Sequence, residues 1–495
     1  MCFALFMIML DNTVVNVALP SIQADLGASL GGLQWTVNAY TLTFAVLLVT
    51  AGRLGDIFGR RRMFLLGVVV FALASGTIGL APGEGWLVAA RSIQGIGAAF
   101  MMPGTLSIIV NAFPPAERAR AIGIWAGVSS IALAVGPVVG GWLTEAVSWR
   151  AIFLVNLPVA AGAVTVTLFA ARESRDETVS RRVDLPGITC LTAALTALVL
   201  ALIQGNAWGW GSDRTLGLLG VSVAAVAAFV AVERRAAAPV VDFRTLGSPQ
   251  FVAANFVGFV VTFGMLAVFF FLALYLQNIV GYSPLETGVR FLPMTLLIAA
   301  GGPVAGRLSS RFGPRPPLVA GLLLVGAGLA WLSRLQVGST YELLLPAFVL
   351  LGLGVGLVIS PMSIAAMAAV EPAKAGLASG TLAMVRMVGA TFGVAALGAL
   401  IATLGRSDLE RSLPGLPDAV REQLVAGLGS GAGLERAPAA VADAANRAFV
   451  DALAAGMTLC AGAMAVAALV AWRFVGPPPA ARRPTPGLRA LPEPS

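Results

Sequence analysis

The chain has 495 residues, of which 58% are hydrophobic and 11% are charged, and its mean hydropathy is +0.88. Soluble domains carry about 25% charged residues, so this composition excludes an ordinary soluble protein and predicts a chain that lives in lipid. The formal net charge of +8 comes from basic residues in short clusters between apolar segments. That pattern is typical of membrane topology, and we expect no nucleic-acid partner.

The cysteines and the absence of histidine narrow the chemistry further. Cys2, Cys190 and Cys460 lie in apolar runs and form neither a disulfide framework nor a metal-ligand spacing. The sequence has no phosphate-binding loop and no nucleophile constellation. We therefore expect a protein that is not an enzyme, with no catalytic residue, no metal and no cofactor, and whose energy source is a gradient such as that of protons.

Apolar segments of about 20 residues recur along the chain, and that length of helix crosses about 30 Å of hydrocarbon. The sequence predicts an all-α polytopic membrane protein in which two six-helix bundles flank two extra central helices. The fourteen predicted segments lie near residues 3–22, 34–54, 63–82, 86–110, 121–143, 151–170, 185–205, 214–233, 250–276, 286–307, 317–334, 342–369, 376–402 and 448–472.

The predicted domains follow from these segments. The N-terminal bundle is 1–182, the extra pair and its linker 183–245, the C-terminal bundle 246–475 and a disordered cytoplasmic tail 476–495. Within the C-terminal bundle, the polar stretch near 404–447 would lie outside the membrane. We interpret it as a partly helical connector, with a substrate-capturing lid as the alternative.

Most of the 32 basic residues fall in loops on one side of the predicted membrane. The positive-inside rule then places both termini in the cytoplasm of what we expect to be a bacterial plasma membrane. The first segment starts at Met1 without a basic flank, so we expect no cleaved signal peptide.

The first predicted segment, LFMIMLDNTVVNVALP, carries Asp11 in its middle. A carboxylate at mid-bilayer costs several kcal/mol unless it is hydrated, paired or protonated. Because the chain has no histidine, a proton-coupled mechanism would depend on such a carboxylate, and we predict Asp11 as the proton-coupling residue. The alternative is a neutral or hydrogen-bonded carboxyl that only fixes helix packing.

The loop after the second segment reads GRLGDIFGRRR. Its glycines would let helix ends approach closely, and its aspartate could pair with an arginine or cap the next helix. We predict a cytoplasmic gate, with a basic anchor that only fixes topology as the alternative. The gate candidates are Gly52, Asp56, Gly59, Arg60 and Arg61.

A degenerate copy of that loop, GRLSSRFGPR, follows the tenth segment. Gly52 aligns with Gly306 and Gly59 with Gly313, whereas Ser310 stands in place of Asp56. The repeat predicts two homologous six-helix halves with the extra pair between them.

The fourth predicted segment carries Arg91, followed by Gln94. A buried arginine needs a partner, and it stabilises the charged form of a carboxylate that approaches it. Arg91 also lies only a few residues into its segment, so the alternative is a side chain that reaches back to the outer interface.

The fifth predicted segment, GVSSIALAVGPVVGGW, is rich in glycine. Small residues at helical spacing allow close packing, and proline bends a helix, so we expect a bent and tightly packed helix. The residues concerned are Gly127, Gly136, Pro137, Gly140 and Gly141.

Polar, aromatic and basic side chains in the predicted spans are candidates for lining a substrate pathway, although packing or interface anchoring is the alternative for each. Arg386 could contact an anion or pair with an acid from another helix. The candidates are Asn12, Asn16, Trp35, Asn38, Tyr40, Gln94, Asn255, Phe259, Gln277 and Arg386.

These motifs resemble those of the major facilitator superfamily, specifically its fourteen-helix branch of drug:proton antiporters. The signature loop is matched by Gly52, Leu54, Asp56, Gly59, Arg60 and Arg61, and LDNTVVNVALP is similar to the branch's first helix. The resemblance covers nearly the whole chain and implies the major facilitator fold. It also implies that Arg91 takes part in proton coupling and that the glycine-rich fifth helix belongs to an exporter working against a counter-ion.

We therefore expect a monomeric, proton-coupled efflux antiporter that exports hydrophobic or amphipathic small molecules by alternating access. Because Asp11 is the mid-span acid, neutral or monocationic drugs and antibiotics fit better than dications. The alternatives are a facilitator or importer of a small polar metabolite, and a non-transporting membrane sensor.

Overall fold

The computed structural model describes residues 1–112, 114–175, 184–236, 248–370, 375–429 and 438–476, and its regular elements in these ranges are helices. They are α1 (Cys2–Leu26), α2 (Leu30–Phe58), α3 (Arg60–Gly79), α4 (Glu84–Ala112), α5 (Pro115–Ala146), α6 (Ala151–Leu154), α7 (Asn156–Ala170), α8 (Leu185–Trp208), α9 (Asp213–Glu233), α10 (Pro249–Leu274), α11 (Pro284–Phe312), α12 (Arg315–Leu332), α13 (Tyr341–Ala368), α14 (Ala375–Ser412), α15 (Asp418–Ala426) and α16 (Ala439–Phe474). A π-helical turn, Tyr275–Ile279, continues α10.

Twelve helices among the described residues are long and apolar enough to cross a membrane. The predicted all-helical, many-span architecture is therefore confirmed. α4 and α5 have 29 and 32 residues but are not among the twelve, so the count of fourteen spans stays a prediction.

The two predicted halves repeat one pattern of helix contacts. α4 lies against α2 and α3 in the first half, and α13 lies against α11 and α12 in the second. α8 and α9 contact each other, and α8 also contacts α2 and α14. The halves meet where α5 contacts α11, α2 contacts α14 and α1 contacts α10.

The two copies of the GRL loop have the same backbone geometry. Gly59 ends α2 with φ 112° and Gly313 ends α11 with φ 84°, a region that favours glycine. Their N–H groups donate to the carbonyls of Gly55 and Ser309, respectively, one turn earlier. This likeness supports the predicted internal repeat.

The connector between the last two spans contains more helix than the hydropathy predicts. α14 runs on to Ser412 and α16 begins at Ala439, so both extend into the stretch 404–447. Arg421 of α15 lies 3.6 Å from Glu410 of α14, which holds the short helix against the end of the long one. The predicted disordered tail falls outside the described residues apart from position 476.

Candidate functional site

Asp11 of α1 and Arg91 of α4 form an ion pair inside the N-terminal half. The Arg91 Nη1 atom lies 2.6 Å from Asp11 Oδ2, and the residues are 2% and 1% exposed, respectively. The structure thus brings the two predicted coupling residues into direct contact. Arg91 reaches inward to the carboxylate rather than outward to the interface.

Gln94, one turn beyond Arg91, completes the shell around the carboxylate. Its Nε2 donates to Asp11 Oδ1 at 3.1 Å and to Ser75 Oγ at 2.9 Å, while its Oε1 accepts from Arg91 Nη1 at 2.6 Å. Both carboxylate oxygens of Asp11 therefore accept hydrogen bonds.

Further groups fix the orientation of this network. Arg91 Nε donates to the carbonyl of Thr36 at 3.0 Å, and Asn156 Nδ2 donates to Ser75 Oγ at 3.3 Å. The sequence did not single out Thr36, Ser75 or Asn156, because small polar residues in a span are indistinguishable from packing residues.

Aromatic rings cover the guanidinium. Arg91 Cζ lies 4.3 Å from the ring centroid of Tyr40 and 5.7 Å from that of Phe153. The Tyr40 hydroxyl is buried without a hydrogen-bond partner among the described residues. A cation over a ring gains about 2 kcal/mol where both are desolvated, which stabilises Arg91 in this position.

Small residues on α4 allow the site to form. A Cβ built on Gly95 would collide with the Thr43 side chain and the Tyr40 carbonyl of α2, and one built on Gly97 would lie 2.8 Å from Phe71 Cα of α3. Because glycine lets the backbones approach this closely, α4 can place Arg91 and Gln94 against α1.

The site is a desolvated pair of opposite charges. Breaking such a pair by neutralising one partner costs about 3–5 kcal/mol, because the other charge stays buried. Protonation of Asp11 would neutralise one charge in this way and leave Arg91 with neutral acceptors only. The arrangement can therefore link a proton to a rearrangement of α1 against α4.

The predicted gate residues lie at the junction of α2 and α3, where helix replaces most of the predicted loop: Gly52 and Asp56 lie in α2, and Arg60 and Arg61 begin α3. Arg60 Nη2 lies 2.8 Å from Asp56 Oδ1, and both side chains are partly exposed. The Arg61 side chain donates to the carbonyl of Leu168 at 2.9 Å. Gly52 faces α4, because a Cβ built on this glycine would lie 3.4 Å from the Pro103 Cβ.

Glu173 follows α7 and was not among the predicted site residues, but its side chain caps the start of α3. Its carboxylate accepts from the backbone N–H groups of Arg61 and Arg62 at 3.0 and 3.2 Å. An acid at a helix N-terminus satisfies free donors and meets the positive end of the helix dipole. An acid 112 positions further along the chain gives no local sequence signal for this contact.

The glycine-rich part of α5 packs on both halves. A Cβ on Gly136 would collide with Thr13 Oγ1, and one on Gly140 would lie 3.0 Å from Val14 Cα, both of α1. A Cβ on Gly141 would lie 2.7 Å from Leu285 Cα of α11. A Cβ built on Gly127, in contrast, would meet no atom of the described residues within 4 Å.

Pro137 and Gly288 also take part in the contact between α5 and α11. A Cβ on Gly288 would collide with the Pro137 carbonyl. Nearby, the N–H of Leu285 donates to Glu145 Oε2 at 3.1 Å, so an acid of one half caps a helix of the other.

Two further hydrogen bonds join the halves. Gln277 Nε2 donates to the carbonyl of Val17 at 2.7 Å. The hydroxyls of Thr41 and Thr391 lie 2.7 Å apart. Of these four residues, only Gln277 was among the candidates predicted from the sequence.

The other predicted lining residues are spread over α1, α2, α10 and α14. Asn16 Nδ2 donates to the carbonyl of Asn12 at 3.0 Å, and Asn255 Nδ2 to that of Phe251 at 2.9 Å. Asn38 is fully buried, and neither of its amide atoms has a described partner. Trp35, Phe259 and Arg386 are partly exposed.

The family model described as Major Facilitator Superfamily matches residues 1–394. The chain is 41% identical over 397 residues to the "Tetracenomycin C resistance and export protein" of Streptomyces glaucescens, covering 80% of this chain and 74% of that one. It is 37% identical over 490 residues to the "Multidrug resistance protein Stp" of Mycobacterium tuberculosis, covering 95% of this chain and 90% of that one. It is 40% identical over 413 residues to the "Puromycin resistance protein pur8" of Streptomyces alboniger, covering 80% and 79%.

Among solved structures, the fold is similar to that of a bacterial homologue of the human lysosomal transporter Spinster in an inward-facing, unoccupied conformation. The TM-score is 0.67 at 21% sequence identity, and the match covers 96% of this chain and 95% of that one. The chain belongs to the Major Facilitator Superfamily, so its predicted superfamily and all-helical fold are confirmed, whereas the count of fourteen spans stays a prediction.

Proposed function

We propose that the protein is a proton-coupled efflux antiporter that exports hydrophobic or amphipathic small molecules, drugs and antibiotics among them. One observation carries the proposal: the buried carboxylate of Asp11 accepts hydrogen bonds from both Arg91 and Gln94. The names of three relatives, which concern export of or resistance to antibiotics and drugs, support the substrate class.

The coupling step follows from the charges of the site. With Asp11 ionised, the pair is neutral as a whole and its hydrogen bonds are satisfied. When Asp11 takes a proton, Arg91 is left as a buried cation, and the arrangement that relieves this charge becomes favoured. Release of the proton restores the pair, so the protonation state selects between two arrangements of α1 and α4.

Alternating access would use the close contacts between the halves. Gly141 of α5 and Gly288 of α11 allow these two helices to meet backbone to backbone. Such a contact can be lost and regained as rigid bundles rock about a central site. The Asp56–Arg60 pair beside α3 is partly exposed, which suits a latch that exchanges partners during the cycle.

Orientation and assembly complete the proposal. The excess of basic residues in alternate loops supports a plasma-membrane protein with both termini in the cytoplasm. We also propose that the protein works as a monomer.

A drug-susceptibility panel in an efflux-deficient bacterial host tests this function. We expect wild-type protein to protect against several amphipathic compounds and Asp11→Asn to give no protection at equal membrane expression. The matched control is Asp25→Asn, because Asp25 also lies in α1 but is an exposed residue paired with Arg150. If Asp11→Asn protects as well as the wild-type protein, Asp11 has no coupling role. If the wild-type protein gives no protection, it does not export the compounds tested.

A further inference from the structure

Arg386 lies deep in the C-terminal half. It is eleven positions beyond the start of α14 at Ala375, which is about 16 Å along the helix axis at 1.5 Å per residue. Its carbonyl accepts a hydrogen bond from Thr262 of α10 at 2.6 Å. Thr391, five positions further on, meets Thr41 of the other half, so Arg386 lies within two turns of the interface between the halves.

The guanidinium of Arg386 forms no ion pair and no hydrogen bond with any residue that the structure describes. The side chain is partly exposed, and its stem is held against α10, where a Cβ built on Gly258 would lie 3.1 Å from Arg386 Cγ. Arg91, by contrast, has its charge matched by Asp11. An unmatched cation inside a span is costly unless water or an anion faces it.

Three phenylalanines lie along the same contact between α10 and α14. The ring centroids of Phe259 and Phe263 are 6.2 Å apart, and that of Phe392 is 6.0 Å from each. All three rings are partly exposed, whereas Phe270 and Phe271 further along α10 are fully buried. The cluster therefore presents apolar ring surface that the protein does not cover.

Glycines bring this surface close to Arg386. A Cβ on Gly389 would lie 2.9 Å from Phe259 Cα, and one on Gly393 would lie 2.8 Å from Phe263 Cα. Arg386, Gly389 and Gly393 fall at three- and four-residue spacing, which places them on one face of α14. The cation and the rings thus occupy successive turns of one contact.

The two helices of this contact also take part in the interface between the halves. α10 contacts α1 and α14 contacts α2, which are helices of the N-terminal half. Within the rest of the chain, α16 contacts both α10 and α14, α13 contacts both as well, and α8 contacts α14. A molecule held between the halves at α10 and α14 would therefore lie near both the rings and the guanidinium.

We propose that Arg386, Phe259, Phe263 and Phe392 form a subsite for an aromatic substrate that carries a carboxylate, phenolate or sulfonate. The guanidinium binds the anionic group through charge-assisted hydrogen bonds, and the phenyl rings bind the flat aromatic body. This deepens the proposed export function, because it names the substrate class of the pathway. Since Asp11 is paired with Arg91, anionic rather than cationic compounds match the Arg386 guanidinium, which has no counter-ion among the described residues.

Calorimetric binding of 2-naphthoate and 2-naphthamide to the full-length protein in phosphatidylcholine nanodiscs tests the subsite. The two probes share one ring system and differ in charge. We expect the wild-type protein to bind 2-naphthoate about tenfold more tightly, in keeping with a hydrogen bond to a charged group. Equal affinity of wild type for the two probes would overturn the proposal without any variant.

Variants assign the preference to Arg386. Arg386→Gln should weaken 2-naphthoate about tenfold and leave 2-naphthamide unchanged, Arg386→Lys should retain part of the preference, and Phe392→Ala should weaken both probes equally. The control is Arg290→Gln, because Arg290 also lies in a span but stacks on Tyr282 at 3.6 Å and lies 3.8 Å from Glu286. An unchanged preference in Arg386→Gln would overturn the subsite.

The binding assay needs no proton gradient, so it separates the two proposals. An Arg386-dependent preference for 2-naphthoate, together with no proton-driven transport, would leave the subsite standing and remove the export function. Proton-driven transport that requires Asp11, together with no preference for 2-naphthoate, would support the export function and remove the subsite.

Discussion

Arg91 Nη1 lies 2.6 Å from Asp11 Oδ2, and neither residue is more than 2% exposed. The pair therefore has almost no water to share its charge, and each partner depends on the other. The ion pair between Asp25 and Arg150 has the same 2.6 Å separation with both side chains substantially exposed, so the chain offers one buried and one solvated pair of the same kind.

Arg91→Gln should lower the free energy of unfolding by about 3–5 kcal/mol, because it leaves the Asp11 carboxylate buried without a cation. Arg150→Gln should lower it by about 0–1 kcal/mol, since water screens the partly exposed Asp25. Thermal unfolding of the two purified variants in the same detergent measures the difference. Equal losses in both would mean that the burial of the Asp11 pair has no energetic consequence.

Gly288→Ala should prevent the observed contact between α5 and α11, because its new methyl group would collide with the Pro137 carbonyl. Gly302→Ala on the same helix is the matched control, since a Cβ built there meets none of the described atoms within 4 Å, and alanine in a helix interior stabilises by about 0.5–1 kcal/mol over glycine. Disulfide formation between cysteines placed at Glu145 and Leu285, in a background without the native cysteines, reports the contact.

We expect the cross-link to form much more slowly in Gly288→Ala than in Gly302→Ala. If both variants cross-link at the wild-type rate, the collision is relieved locally and the close approach is not required for the contact.

Thr41→Val and Thr391→Val should each destabilise the protein, because each leaves the other hydroxyl without its partner across the halves. In a double-mutant cycle, the two changes together should cost less than the sum of the single changes, with a coupling of about 1 kcal/mol. Unfolding of the four proteins gives this coupling directly. A coupling of zero would show that the 2.7 Å contact between the hydroxyls contributes nothing to joining the halves.

Glu173→Gln should lower the free energy of unfolding by about 1 kcal/mol, because it removes the negative charge from the N-terminus of α3. Glu422→Gln serves as the control, since Glu422 is exposed and lies 3.6 Å from Arg406, and its loss should have almost no effect. Hydrogen exchange of the Arg61 and Arg62 amides should rise in Glu173→Gln alone. Protection of both amides in that variant would contradict the capping role.

Much of the fold could be predicted because apolar segments and charges within them are visible in the sequence. Asp11 and Arg91 stand out for this reason. The other members of their network, Ser75, Thr36 and Asn156, do not, since the sequence does not show which helix a small polar residue or a backbone carbonyl in a span will contact.

The ends of the last spans were harder to predict. Hydropathy predicts that the span of α14 ends near residue 402, but the helix continues through a charged stretch to Ser412. A helix can continue in water when its charged side chains pair. Arg411 and Asp408, 3.2 Å apart, form such a pair. Phe263 and Phe392 were also missed. Phenylalanine is common in apolar helices, so only their shared partial exposure distinguishes them from core residues.

Asp11 is the proposed proton site, and proton movement in proteoliposomes that enclose a pH-sensitive dye tests this role. On addition of a transported compound under an imposed pH gradient, wild type and Asp25→Asn should exchange the compound for protons, and Asp11→Asn should not. Substrate-dependent proton exchange by Asp11→Asn at the wild-type rate would show that Asp11 is not the coupling residue.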